Sequence, residues 1–204
     1  PCEKIELPER TGHETDDMFL FDLDMYDRFV KAFHPHYRPL VELFAGTGAS
    51  WGEAEALDVR DIILKPTKIV RITKAAKWNT SKAQRDIGPA KTKNRKRSVT
   101  LPDETAAALE PLLAGRPGTA RLFVAPKGGP LRYKSFWLEW VKACEKIGLT
   151  DRRPKGPHDL RHSHASWLIA LGVPLPVIQK RLGHHSITVT VDIYGHLSPD
   201  IQQA

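Results

Sequence analysis

The sequence predicts an α+β fold, mostly α-helical with one small three-stranded antiparallel sheet, and three observations carry that reading. Apolar residues recur at helical spacing between residues 23 and 57 and again after Pro102. Residues 61–101 change to short β-branched runs. The regular alternation of strands and helices that builds a doubly wound sheet or an α/β barrel is missing. At 204 residues, 41% hydrophobic and 27% charged, the chain suits one globular domain able to bury a sizeable core. Cysteines at positions 2 and 144 give neither a disulfide framework nor a Cys-x-x-Cys metal site, which points to a reducing, cytoplasmic setting. The apolar stretch around Ala165 to Ile178 is interrupted by Gly172, Pro174 and Pro176 and falls short of the roughly 18 residues that span a bilayer.

Residues 1–17 are polar and aperiodic and read as a linker; 18–197 form the domain and 198–204 a tail. Beginning at Pro1 without a basic-then-apolar leader, the chain reads as a piece of a longer protein. Asp22 is an N-cap candidate before Leu23, Tyr26, Phe29, Val30 and Phe33, which share a helix face. After His34-Pro35-His36, periodicity alone leaves Leu40 to Phe44 open between helix and strand, and Gly46-Thr47-Gly48 interrupts it. Trp51 to Leu57 resumes as a helix. Strands follow at Asp61–Leu64, at Lys68–Thr73 with Ile69, Val70 and Ile72, and at Lys96–Pro102. Asp103 reads as the cap of a helix over 104–115. Tyr133 to Ile147 places Phe136, Trp137, Trp140, Val141, Cys144 and Ile147 on one face, so Cys144 is a core residue. His158–Leu171 and Leu175–Leu182 read as helices ended by Gly172 and Gly183.

Charge is unevenly placed. The whole chain carries +7, but residues 1–64 hold 6 basic and 14 acidic side chains, whereas residues 65–97 hold 12 basic and one acidic. A net +11 in 33 residues points to a polyanionic partner, nucleic acid above a merely solvated face.

Six of the nine histidines lie between positions 158 and 196, in segments that also hold Arg161, Arg181 and Tyr194. A zinc site would use His158 and His162, four apart on a helix, but a third ligand at suitable spacing is lacking. A serine hydrolase would use Gly48-Ala-Ser50-Trp-Gly52, a formal G-x-S-x-G match that needs a large parallel sheet and leaves the basic segment unexplained. The third reading uses all the features. HDLRHSHASWLIALG followed by RLGHHSITVTVDIYGHL resembles the His-x-x-Arg, Leu-Gly-His and Tyr boxes of the tyrosine recombinase (phage integrase) family. AKT in the basic segment and GTGASWGEAEAL upstream agree with it, and actinobacterial phage integrases look most similar. The resemblance covers about residues 18–197.

It implies a DNA breaking and rejoining catalytic domain, with Tyr194 as the nucleophile of a covalent 3′-phosphotyrosine. In-line phosphoryl transfer spreads negative charge over nonbridging oxygens, which suits the fork of Arg161, a hydrogen bond from His184, and His158 on the phosphate or the nucleophile's proton. By the same resemblance Lys91 protonates the leaving 5′-oxygen and Glu53 supports the site from behind. Lys93, Arg95, Lys96 and Arg97 would track phosphates, while His162, His164, His185 and His196 would contact backbone or solvent. Chemistry of this kind calls on no cofactor or metal. A tetramer on DNA, a missing N-terminal core-binding domain, a monomeric isolated fragment and accessory proteins are also implied.

One position departs from the pattern. The family's Thr-Gly-x-Arg turn supplies the first of two phosphate-binding arginines; Thr47, Gly48 and Glu53 keep the frame, but Ser50 holds the arginine's place. Loss of even a neutral transition-state donor costs about 100- to 1,000-fold in rate. The sequence therefore predicts an intact site with severely reduced cleavage, or a catalytically disabled DNA-binding module that occupies sites or pairs with an active recombinase.

Overall fold

The computed structural model describes residues 18–79, 84–89, 96–150 and 154–197. The expected linker and tail, and Lys91, Lys93 and Arg95, lie outside the described residues. Asp22 opens α1 (Leu23–Ala32) as its position predicts: its carboxylate accepts the Met25 N–H at 2.7 Å, and the helix buries Phe29 and Val30. The stretch left open between helix and strand is helical, α2 (Arg38–Thr47), and it runs through Gly46 before ending at Gly48. Gly48 sits at φ +66°, the left-handed geometry that favours glycine past a helix end. Three residues later α3 (Trp51–Ala56) begins, with Ser50 as its N-cap.

The three expected strands pair antiparallel in the order β1 (Ile62–Ile63), β2 (Ile69–Ile72), β5 (Arg97–Thr100), with Val70 opposite Val99. Between β2 and β5 the chain forms a separate hairpin of β3 (Lys74–Asn79) and β4 (Gln84–Pro89). Neither run, KAAKWN or QRDIGP, shows the β-branched alternation of a strand, and Ala75 and Ala76 are buried there. The hairpin is fastened at its base: the Lys74 ammonium pairs with buried Asp58 and lies 3.3 Å from Asp61, while Arg121 holds Asp58 at 2.6 Å. Its β3 strand lies so close to α3 that a Cβ on Gly52 would stand 2.5 Å from the Ala76 carbonyl oxygen.

Pro102, not Asp103, is the N-cap of α4 (Asp103–Leu109); Asp103 is its first helical residue and ion-pairs with Lys68 at 2.9 Å. An acidic side chain one position inside the helix still meets the positive end of its dipole. Then come α5 (Tyr133–Lys146), α6 (Pro157–Ala170), α7 (Leu175–Leu182) and α8 (Ile187–Tyr194). Phe21, Phe29, Phe33, Phe136 and Trp140 form the aromatic centre of the main core, in which Cys144 is fully buried. A second, smaller cluster gathers Ala165, Ile169, Ile178, Leu182, Tyr194 and Leu197 under the last three helices. Among the described residues no helix is long and apolar enough to cross a membrane.

Candidate active site

Arg161 fixes the site. It projects from the first half of α6, is 7% exposed, and donates to the carbonyl oxygens of Gly48 at 2.6 Å and Leu182 at 2.7 Å. Both acceptors lie at helix C-termini, where carbonyls lack intrahelical partners, so one guanidinium ties the ends of α2 and α7 together. The Gly183 turn, at φ +73°, delivers His184 beside them. A cleft of about 520 Å³ opens there, lined by Ser50, Glu53, His158, Arg161, His184 and Tyr194 among others.

Tyr194 is buried, 1% exposed, its ring part of the smaller core and its hydroxyl 2.8 Å from His162 Nδ1. Burial drives its pKa above the usual phenol value, against the opposing charge of Arg161. The His184 ring lies parallel to the phenol with centroids 6.4 Å apart, and its Nδ1 is 2.9 Å from Thr190 Oγ1. His158 lines the cleft, edge-on to His162 at 4.5 Å. Burial, then neighbouring positive charge, lowers these imidazoles: His162 falls to about 3 and His184 to about 4, which leaves both neutral near pH 7, and His158 falls below its ordinary value.

Glu53 is 4% exposed. Its Oε2 accepts the Ser50 N–H at 2.8 Å, and its carboxylate takes both terminal nitrogens of Arg97, at 2.7 and 3.1 Å. Burial pushes the carboxyl pKa up, but Arg97 and the Ser50 amide outweigh it and leave the group below its ordinary value. Arg97 Nε donates to the Arg181 carbonyl at 2.6 Å, joining β5 to the end of α7.

Residues 21–200 match the phage integrase family. This chain belongs to that family. It is 34% identical over 169 residues to tyrosine recombinase XerD of Corynebacterium glutamicum, covering 80% of this chain and 49% of that protein. It is 31% identical over 170 residues to tyrosine recombinase XerC of Herpetosiphon aurantiacus, covering 80% and 48%. The chain thus spans about half the length of these curated relatives. Its fold is shared with the Tn1549 transposon integrase solved with circular intermediate DNA, at TM-score 0.75 and 20% identity over 91% of this chain and 65% of that one. It is also shared with the catalytic domain of bacteriophage HP1 integrase, at TM-score 0.60 and 22% identity over 91% and 92%.

In this phage integrase domain, six sequence-predicted residues, Tyr194, Arg161, His158, His184, Glu53 and Ser50, line one cleft. The hydrolase reading of Ser50 falls, because the strand pairs described are all antiparallel and Ser50 is a helix cap bonded to Glu53. Among the described residues no three His, Cys, Asp or Glu side chains are grouped as a metal would require. Arg97, expected to track phosphates, is instead turned inward onto Glu53, because a carboxylate buried to this degree needs a charged partner. Lys96 beside it is exposed. His162, expected to meet backbone or solvent, instead contacts Tyr194; His164 meets the Ala45 backbone as expected, and Arg181 Nε donates to its Nε2 at 2.9 Å. The signal for His162 was its place four residues after His158, on the same helical face.

Proposed function

We propose that this domain performs the strand cleavage and rejoining of site-specific DNA recombination, and that Ser50 strongly attenuates it. The observation that carries the reading is the shared cleft: a tyrosine, a buried arginine and two neutral histidines at one pocket, with a serine at its rim. Tyr194 attacks the scissile phosphorus, the P–O5′ bond breaks, and a 3′-phosphotyrosine holds the bond energy for the reverse step. Arg161 bears on the nonbridging oxygens. His184 acts as a neutral donor: with Nδ1 facing the Thr190 hydroxyl, its Nε2–H is available to developing charge. His158 reaches the same phosphate from the cleft. Lys91 protonates the departing 5′-oxygen, and Lys93, Arg95 and Lys96 follow the backbone. Four copies act together on DNA in the intact recombinase.

Ser50 is too short to reach the phosphate and carries no charge, so one cationic clamp is missing. That observation also favours a second reading, a DNA-binding module that has lost cleavage and pairs with an active recombinase. Incubation with a nicked suicide duplex carrying its site, followed by a denaturing gel, separates the two. A faint adduct abolished by Tyr194→Phe supports the enzyme, an adduct formed only after Ser50→Arg supports the disabled module, and no adduct from either chain contradicts the cleavage chemistry.

A further inference from the structure

The group that touches the Tyr194 hydroxyl is His162, and the phenol has no other hydrogen-bond partner among the described residues. We infer that His162 orients the nucleophile, accepting its hydroxyl hydrogen bond at Nδ1 and receiving the proton as Tyr194 attacks. This rests on the cleavage reading above.

Geometry gives the bond its direction. Tyr194 is a buried, protonated phenol, so its O–H needs an acceptor, and an unpaired buried hydroxyl is costly. A neutral imidazole has one bare ring nitrogen to offer, and His162 is held neutral by burial and by His158 and Arg161 on α6 and His184 at the α7–α8 turn. With the hydrogen directed to Nδ1, the oxygen lone pairs are free to meet phosphorus. A hydroxyl that donated to the phosphate instead would point its proton at the electrophile.

The step balances. The Tyr194 O–P bond forms, the P–O5′ bond breaks, the phenol proton passes along the existing hydrogen bond to His162, and Lys91 supplies the proton for the 5′-oxygen. The same anion that is attacked assists the transfer: burial is the first cause that keeps His162 from protonating, neighbouring positive charge the next, and a phosphodiester beside Arg161 offsets that charge.

Two measurements on the whole chain test this. Nitrogen-15 spectra of the histidine-labelled protein, with His162 assigned by its loss in His162→Asn, are expected to show a neutral ring bearing its hydrogen on Nε2 from about pH 8 to about pH 5. Tyr194→Phe should shift the bare Nδ1 resonance. A hydrogen on Nδ1, or no response to Tyr194→Phe, overturns the inference. In whichever of the parent and Ser50→Arg chains forms the covalent adduct, His162→Asn keeps an acceptor oxygen but no base, and should slow adduct formation by about 100- to 10,000-fold. Adduct formation at the starting rate in His162→Asn overturns it equally. If neither chain forms an adduct, the cleavage reading is what fails, and the spectra alone uphold or overturn the acceptor role.

Discussion

Arg161 and Arg97 show how burial separates two arginines that look alike in sequence. Arg161 was legible because its His-x-x-Arg box sits in a periodic helix; Arg97 was not, because a run of Lys93, Arg95, Lys96 and Arg97 gives no sign of which cation turns inward. The partner decides it: Glu53 is 44 residues away in sequence and lies against β5 only once the sheet forms. Replacing Arg97 by Met strands that carboxylate, and urea unfolding should show a loss of about 3–5 kcal/mol, with Glu53→Gln in the same chain recovering part of it. Buried histidines set a pH limit. His162 and His164 are held to about 3 by burial, and the unfolded chain returns them to about 6.5. The unfolded state then binds protons that the folded state refuses, so this stability is complete above about pH 6.5 and is lost as pH falls. For His164 alone the loss at about pH 5 is on the order of 2 kcal/mol, and the thermal midpoint should drop by several degrees between about pH 7 and pH 5, less so in His164→Gln.

Helix ends, more than helix faces, build the site. Gly48 and Gly183 close α2 and α7 in left-handed geometry, and the carbonyls at those turns receive Arg161. A Cβ on Gly48 would stand 2.6 Å from Leu182 Cδ2 and 3.1 Å from His164 Cδ2, so Gly48→Ala suffers both strain and a clash. Its expected cost is about 2 kcal/mol or more by denaturant unfolding. Most helices followed from spacing and caps, and Leu175–Leu182 was read to the residue. Two elements were not. The run Ile187 to Tyr194 is rich in β-branched residues, yet it is helical because Ser186 caps it and Thr190 and Tyr194, four apart, bury against the small core. The β3–β4 hairpin hides for the opposite reason: backbone pairing and the Asp58 anchor hold it where side-chain pattern says little.

Across the molecule, the excess positive charge and position 50 belong to different segments. The net +11 belongs to residues 65–97 of the sequence, whereas Ser50 lies in the acidic first third. On the proposed function, DNA attraction is expected to persist with serine rather than arginine at position 50. Binding to a non-specific duplex should weaken steeply with salt, the slope of log K against log salt approaching −0.9 per phosphate contacted. Ser50→Arg should change that slope by no more than about one contact. Its effect on cleavage is far larger, because a charge in the cleft acts on the transition state. The decisive measurement is the rate of covalent adduct formation on a nicked suicide duplex, with the parent chain and Ser50→Arg compared side by side. A rise of about 100-fold or more with arginine, abolished by Tyr194→Phe, is the predicted result; equal rates in the two chains would contradict the claim that Ser50 disables an otherwise assembled site.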